Sequence, residues 1–324
     1  MPPAPTVASR ELARQVESLG RSNGLDAVGI AAASPLTRAR QVLDERKASG
    51  LHGGMEFTYR NPARSTSPDR IVPGASSIVV GARRYASHVP APPQGAQPSG
   101  RVARYAWTDH YAPLREALQV IARHLRAHGH RAVVVADDNA MVDREVAYRA
   151  GIGWFGKNAN LLLPDRTGDG ATGPGPAGRG AGSWFVLGAV VTDASLPPTG
   201  EPVPDGCGTC RRCIDGCPTE AIVAPGVVDA RRCLAWLVQQ AGTFPREHRV
   251  ALHDRIYGCD DCQEVCPPNI RFDRTPPPSE RGSRPDDPAS GSSRLAFFPN
   301  QPMPARWATS RSTMALSSAT TTAR

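Results

Sequence analysis

Eight cysteines, all between Cys207 and Cys266, constrain this chain more than anything else in its 324 residues. The first run, CGTCRRCIDGCP, is spaced Cys207-x2-Cys210-x2-Cys213-x3-Cys217-Pro218. The second, CDDCQEVCPP, gives Cys259-x2-Cys262-x3-Cys266-Pro267, one cysteine short of a full motif, and the lone Cys233 makes up the deficit. The first spacing is that of a bacterial two-cluster ferredoxin, in which three thiolates of a run hold one cubane and the last reaches the other. By that crossover, Cys207, Cys210, Cys213 and Cys266 are expected to hold one 4Fe–4S cluster, and Cys217, Cys233, Cys259 and Cys262 the second. Structural zinc sites pair two separate CxxC hooks and do not use a CxxCxxCxxxCP run. Disulfides need an oxidising compartment, and the opening MPPAPTVASRELARQ has no apolar leader core and no twin arginine. The expected setting is the cytoplasm, with no membrane attachment.

A chain of this length holds two domains, or one large and one small. No apolar run approaches the length that crosses a bilayer. The net charge is +8, carried by 36 Arg and only two Lys. Residues 271–324 hold eight Arg against four acidic residues, so half of the excess lies there. Such a surface attracts nucleic acid without specifying any.

Hydrophobic period places a helix at Ser9–Leu19, a short strand at Ala27–Ala31 and a second helix at Pro35–Ala48. Residues 52–69 read as loop, Ile78–Val80 as a buried strand, and Pro90–Pro98 as a proline-rich loop. Leu114, Leu118, Ile121 and Leu125 fall in helical register, and Ala132–Ala136 is a β-branched strand ending at Asp137 and Asp138. Met141–Ala150 reads as helix, Arg166–Gly182 as a flexible insertion and Trp184–Val191 as strand. The expected fold is α+β: an N-terminal α/β domain over 1–195, a ferredoxin-like cluster domain over 196–270, and a low-complexity basic tail over 271–324 expected to be disordered.

Outside the cysteines the chemistry-bearing candidates are few. GIGWFGK from Gly151 contains GxGxxG, but a helix precedes it where a dinucleotide site needs a strand, so a glycine-rich turn is the better reading. Lys157 follows that turn directly; it is open between a surface residue and a placed cation. Asp137 and Asp138 point to opposite sides of a strand end, so only one of them is expected to enter any given pocket. The eight histidines show no ligand spacing.

Taken as a set, ADDNAMVDREVAYRAGIGWFGKN, GSWFVLG, the two cysteine runs, CLAWLVQQ and RYAWTDHYAPL resemble the epoxyqueuosine reductase family, over about residues 9–270. The resemblance implies a base-off cobalamin enzyme in which two 4Fe–4S clusters pass single electrons to cobalamin. The resulting Co(I) would act as nucleophile in reducing epoxyqueuosine to queuosine at the wobble position of tRNA anticodons. It also implies Asp137 as proton donor, with a carboxyl pKa raised in a pocket closed by corrin and substrate. Arg60, Asp137, Lys157, Asn158 and Ser183 fall where the family lines its cobalamin site. The implied partners are a tRNA with a queuosine-type anticodon and an electron donor such as ferredoxin or flavodoxin, and the implied state is a monomer. Two other readings stand beside it: a related cobalamin reductase of a small, dehalogenase-type substrate, and an electron-carrier module.

Overall fold

The computed structural model describes residues 6–85, 99–164, 182–273 and 294–296. The helices in chain order are α1 (Val7–Ser22), α2 (Thr37–Ala48), α3 (Glu56–Tyr59), α4 (Pro62–Ser65), α5 (Tyr111–Ala127), α6 (Asp143–Arg149), α7 (Arg212–Asp215), α8 (Leu234–Leu237), α9 (Arg249–Leu252), α10 (Asp261–Glu264) and α11 (Pro267–Asp273). The strands are β1 (Ala27–Ala32), β2 (Ser77–Arg84), β3 (Ser99–Val102), β4 (Ala132–Ala136), β5 (Trp154–Phe155), β6 (Leu161–Leu162), β7 (Phe185–Thr192), β8 (Ile222–Ala224), β9 (Val227–Val228), β10 (Arg255–Tyr257) and β11 (Arg294–Ala296). The mixture of an antiparallel sheet with helices is the expected α+β class.

A four-stranded sheet in the order β1-β2-β7-β4 forms the body, antiparallel at every pairing. The strands β1, β2 and β7 are buried on both faces, so their sequences are apolar without alternation. On one face lie α1 and α5, and α5 turns Leu114, Leu118, Ile121 and Leu125 inward with none exposed. Leu118 approaches so closely that a Cβ on Gly188 would stand 2.7 Å from it and one on Gly81 3.2 Å. Ala150 and Ile152, from the end of α6 onward, cover the opposite face at Gly29.

Several boundaries differ from the sequence reading for local reasons. The cap of α1 is Thr6, whose hydroxyl accepts the Ser9 N–H at 3.1 Å, so the helix begins before Ser9. Residues 52–69 are not simply loop; they carry α3, α4 and a 3-10 turn at Pro68–Arg70, with Asn61 capping α4. The glycine-rich turn after α6 closes into a hairpin, β5 against β6. The expected loops at 90–98 and 166–181 lie outside the described residues, as does most of the tail. Within the tail, α11 runs to Asp273 and β11 pairs with β3.

The cysteine region is small and irregular, with short helices α7 and α10 packed together and the hairpin β8–β9 beside them. Strand β10 joins it to the rest of the chain by pairing in parallel with β3, and Arg101 reaches Asp254 across that pairing at 2.9 Å. Among the described residues no helix is long and apolar enough to cross a membrane.

Candidate functional site: an acidic cavity beside two groups of thiols

The eight thiols gather in space as two groups. Burial pushes Cys266 up to about 11, and Cys207, Cys213 and Cys210 add to the rise. Burial likewise raises Cys213, with Cys207 and Cys210 as its charged neighbours. In the other group, burial holds Cys262 well above the ordinary thiol value, reinforced by Cys259, Cys233 and Cys217. Cys259, pushed up to about 12, feels Cys233, and Cys233, also raised by burial, feels Cys217. The last cysteine of each run therefore sits with the other run, as the crossover expectation requires. All eight thiols are free and half-buried.

Buried free thiolates are costly, but metal coordination deprotonates a thiol outright and reverses that cost. Backbone N–H groups already point at these sulfurs. That of Ala221 donates to Cys217 Sγ at 3.2 Å, those of Ala235 and Trp236 to Cys233, and that of Asp261 to Cys259. Donors of this kind stabilise negative sulfur, so the thiol groups fit two clusters.

A cavity of about 280 Å³ opens at the end of β4, where the sheet edge meets α6 and the start of β7. Its polar side is Asp137, Asp138, Asn139, Asp143 and Asn160, and its apolar side includes Phe57, Phe185, Val186 and Leu187. Asp137 follows β4 directly with φ of 55°. That left-handed turn is strained for most side chains and tolerated by Asp; here it ends the strand at the cavity mouth. The Asp137 carboxylate is half-exposed and lies 3.8 Å from the Arg115 guanidinium. Asp138 lines the same cavity, against the expectation that only one of the pair would enter it, because the left-handed Asp137 breaks the alternation of the strand; it accepts the Ala140 N–H at 2.8 Å and so braces the turn.

Two lining residues carry a stronger electrostatic signature than the sequence reading assigned them. Burial raises Asp143, against the pull of Arg144. Burial also raises the Tyr111 phenol, helped by Asp137 and Asp143. The sequence reading names neither as a site residue, although Tyr111 lies in the RYAWTDHYAPL segment and Asp143 in ADDNAMVDREVAYRAGIGWFGKN. No spacing rule selects either.

The other expected residues separate. Ser183 lines the cavity and is buried. Asn158 is buried just behind, its amide donating to the Cys262 carbonyl at 3.3 Å. Lys157 is outside the lining: its ammonium donates to the carbonyls of Gly208 at 2.6 Å and Cys210 at 2.9 Å, on the loop of the first run. Arg60 is exposed, also outside the lining, and paired with Glu56 at 3.4 Å.

A buried polar chain connects the cavity to the second cysteine run. Ser183 Oγ donates to Gln263 Oε1 at 2.8 Å, and the Ser183 N–H donates to Asn269 Oδ1 at 2.6 Å. Asn269 Nδ2 returns two bonds, to Ser183 Oγ at 2.9 Å and the Gln263 carbonyl at 2.8 Å. Gln263 continues to Asp260, which accepts the Arg104 N–H at 2.7 Å, and the Arg104 guanidinium lies 4.2 Å over the Trp184 ring. The residues flanking Cys262 are thus bonded to the cavity wall.

This is the plan of a two-cluster iron–sulfur protein whose cluster module backs onto an acid-lined ligand cavity. Residues 206–269 match the 4Fe–4S double cluster binding domain, and residues 66–143 match the family described as Epoxyqueuosine reductase QueG, DUF1730. The epoxyqueuosine reductase of Xanthomonas campestris is 35% identical over 288 residues, covering 86% of this chain and 75% of that protein. The chain belongs to the epoxyqueuosine reductase family. The Bacillus cereus enzyme is 33% identical over 268 residues, and the chain spans 66% of its length. A crystal structure of epoxyqueuosine reductase with a tRNA-Tyr epoxyqueuosine-modified stem loop superposes with a TM-score of 0.72 at 31% identity, covering 81% of this chain and 66% of that one.

Proposed function

We propose that the chain is an oxidoreductase that reduces epoxyqueuosine to queuosine at the wobble position of tRNA anticodons. The observation that carries this reading is the bonded path from Ser183 on the cavity wall to Gln263, the neighbour of Cys262. It sets a redox module directly behind a cavity that holds a carboxyl group at its mouth. Family membership supports it, as does the relative solved with an epoxyqueuosine-modified stem loop.

In this reading Cys207, Cys210, Cys213 and Cys266 hold one cluster, and Cys217, Cys233, Cys259 and Cys262 the other. The lining suits a corrin, with Val186, Leu187 and Leu161 as an aliphatic wall and Ser183 and Asn160 as polar partners at its edge. Cobalamin bound there would supply the electron pair that opens the epoxide. Overall two electrons and two protons enter and one water leaves. In this reading Asp137, at the mouth and half-exposed, takes a proton from solvent and delivers it to the departing oxygen. Arg144, also at the lining, donates from its guanidinium to the Ala159 carbonyl at 2.6 Å. The partners are a tRNA with a queuosine-type anticodon and a small reductant protein.

The test is Asp137→Asn in anaerobically loaded protein, with an epoxyqueuosine-bearing stem-loop RNA as substrate and the nucleoside product read by mass spectrometry. Conversion by the parent chain and a fall of roughly 10²–10⁴-fold in the variant, at unchanged iron and cobalt content, is the expected result. Equal rates would remove Asp137 from the reaction. A fully loaded parent chain that converts nothing would remove the activity itself.

A further inference from the structure

The RAGIGWFGKN motif sits on the cluster side of the molecule, and its tryptophan carries a donor with nothing to donate to. Trp154 is 7% exposed, and its indole Nε1 is buried without a hydrogen-bond partner among the described residues. A buried N–H left unpaired has lost its water partner without a replacement, so such a group in a native fold calls for an acceptor. The ring lies against Gly206. A Cβ on that glycine would stand 2.7 Å from Trp154 Cζ2, 2.9 Å from Cε2, the carbon bonded to Nε1, and 3.1 Å from Cη2. The indole therefore packs against the residue immediately before Cys207. Three residues along the same hairpin, the Lys157 ammonium bonds the carbonyls of Gly208 and Cys210. One short segment thus meets the Cys207–Cys210 loop at two points and keeps an unused buried N–H close to it.

We propose that the Trp154 indole N–H donates to a sulfur of the cluster held by Cys207, Cys210, Cys213 and Cys266, and so sets that cluster's potential apart from the other's. The inference rests on the two-cluster reading above. A hydrogen bond to a cluster sulfur withdraws charge and favours the reduced form, and cluster potentials respond to such bonds and to burial. Lys157 acts with it as a positioning residue, since its two bonds keep the loop against the indole and add a positive charge beside it. Both contributions raise the potential of that cluster above the value it would have without them.

The experiment is an EPR-monitored redox titration of the whole reconstituted chain, without substrate or cobalamin, comparing the parent with Trp154→Phe. The cluster in question is identified as the one whose signal is lost in Cys210→Ala. Its midpoint should move to a more negative potential in Trp154→Phe while the other midpoint stays where it was, with about eight irons per chain in both proteins. Should the phenylalanine variant fail to load, benzothienylalanine at position 154 keeps the bicyclic ring, removes only the N–H, and should give the same selective shift. Unmoved midpoints at full iron, or equal movement of both, would overturn the assignment. A parent chain that takes up no clusters would overturn the two-cluster reading itself.

Discussion

Asn269 shows how much one side chain decides in this molecule. It is fully buried, accepts the Ser183 N–H, and donates to both Ser183 Oγ and the Gln263 carbonyl. Gly182 beside it has φ of +52°, and a Cβ there would fall 1.8 Å from Asn269 Oδ1. A glycine meets both demands at once, the left-handed backbone and the close approach. Asn269→Ala strands a buried N–H and frees a buried carbonyl, at about 1–3 kcal/mol for each group left unsatisfied. The melting temperature of the loaded protein should fall clearly, and Gly182→Ala should lower it too by displacing the same amide. A melting curve unchanged in Asn269→Ala would mean that the cluster module is held to the cavity wall by something else. Neither residue stood out in the sequence: Asn269 follows CPP as an unremarkable polar residue, and only the fold brings it to Ser183.

At the level of elements, α5 and the sheet fit each other through absent side chains. Leu118 packs into space left by Gly188 and Gly81. Gly188→Ala overfills that contact and should cost about 1–3 kcal/mol. Leu118→Ala empties it and should cost about 2–5 kcal/mol. The double variant should lose less than the sum, because each change relieves the other; strict additivity in denaturation experiments would show that the two do not share a contact. Helix α5 was legible because its four leucine and isoleucine positions repeat at 3.6 residues, and β1, β2, β4 and β7 because they are short apolar runs bounded by polar residues. The antiparallel order β1-β2-β7-β4 was not, since pairing β2 with β7 depends on partners about a hundred residues apart. The short helices at 56–65 escaped for a different reason: four residues cannot display a helical period. At the site, the cysteine spacing announced the clusters, whereas Tyr111 and Asp143 acquire their character from burial that no local pattern encodes.

For the molecule as a whole, charge is the property that spans every part. Of the net +8, residues 274–324 contribute seven Arg against three acidic residues. If the proposed RNA substrate is drawn in by phosphate contacts, log K should fall steeply with log salt concentration, by about 0.7–0.9 for each phosphate neutralised. A chain ending at Asp273 should bind a stem-loop RNA more weakly and show a shallower slope. An unchanged slope would place the RNA contacts entirely within the preceding residues.

The grouping of the thiols has a consequence for how such a chain can change over generations. Cys217 closes the first run yet sits with Cys233, Cys259 and Cys262, while Cys266 closes the second yet sits with Cys207, Cys210 and Cys213. The two runs are clasped hands rather than two separate pockets. Deleting either run leaves the other with an incomplete set. Exchanging one run for a foreign copy works only if the newcomer places its last thiol on the far side. The intervening residues can lengthen or drift only so far as Cys233 keeps its place, and the two halves of the module must be inherited, lost or replaced together.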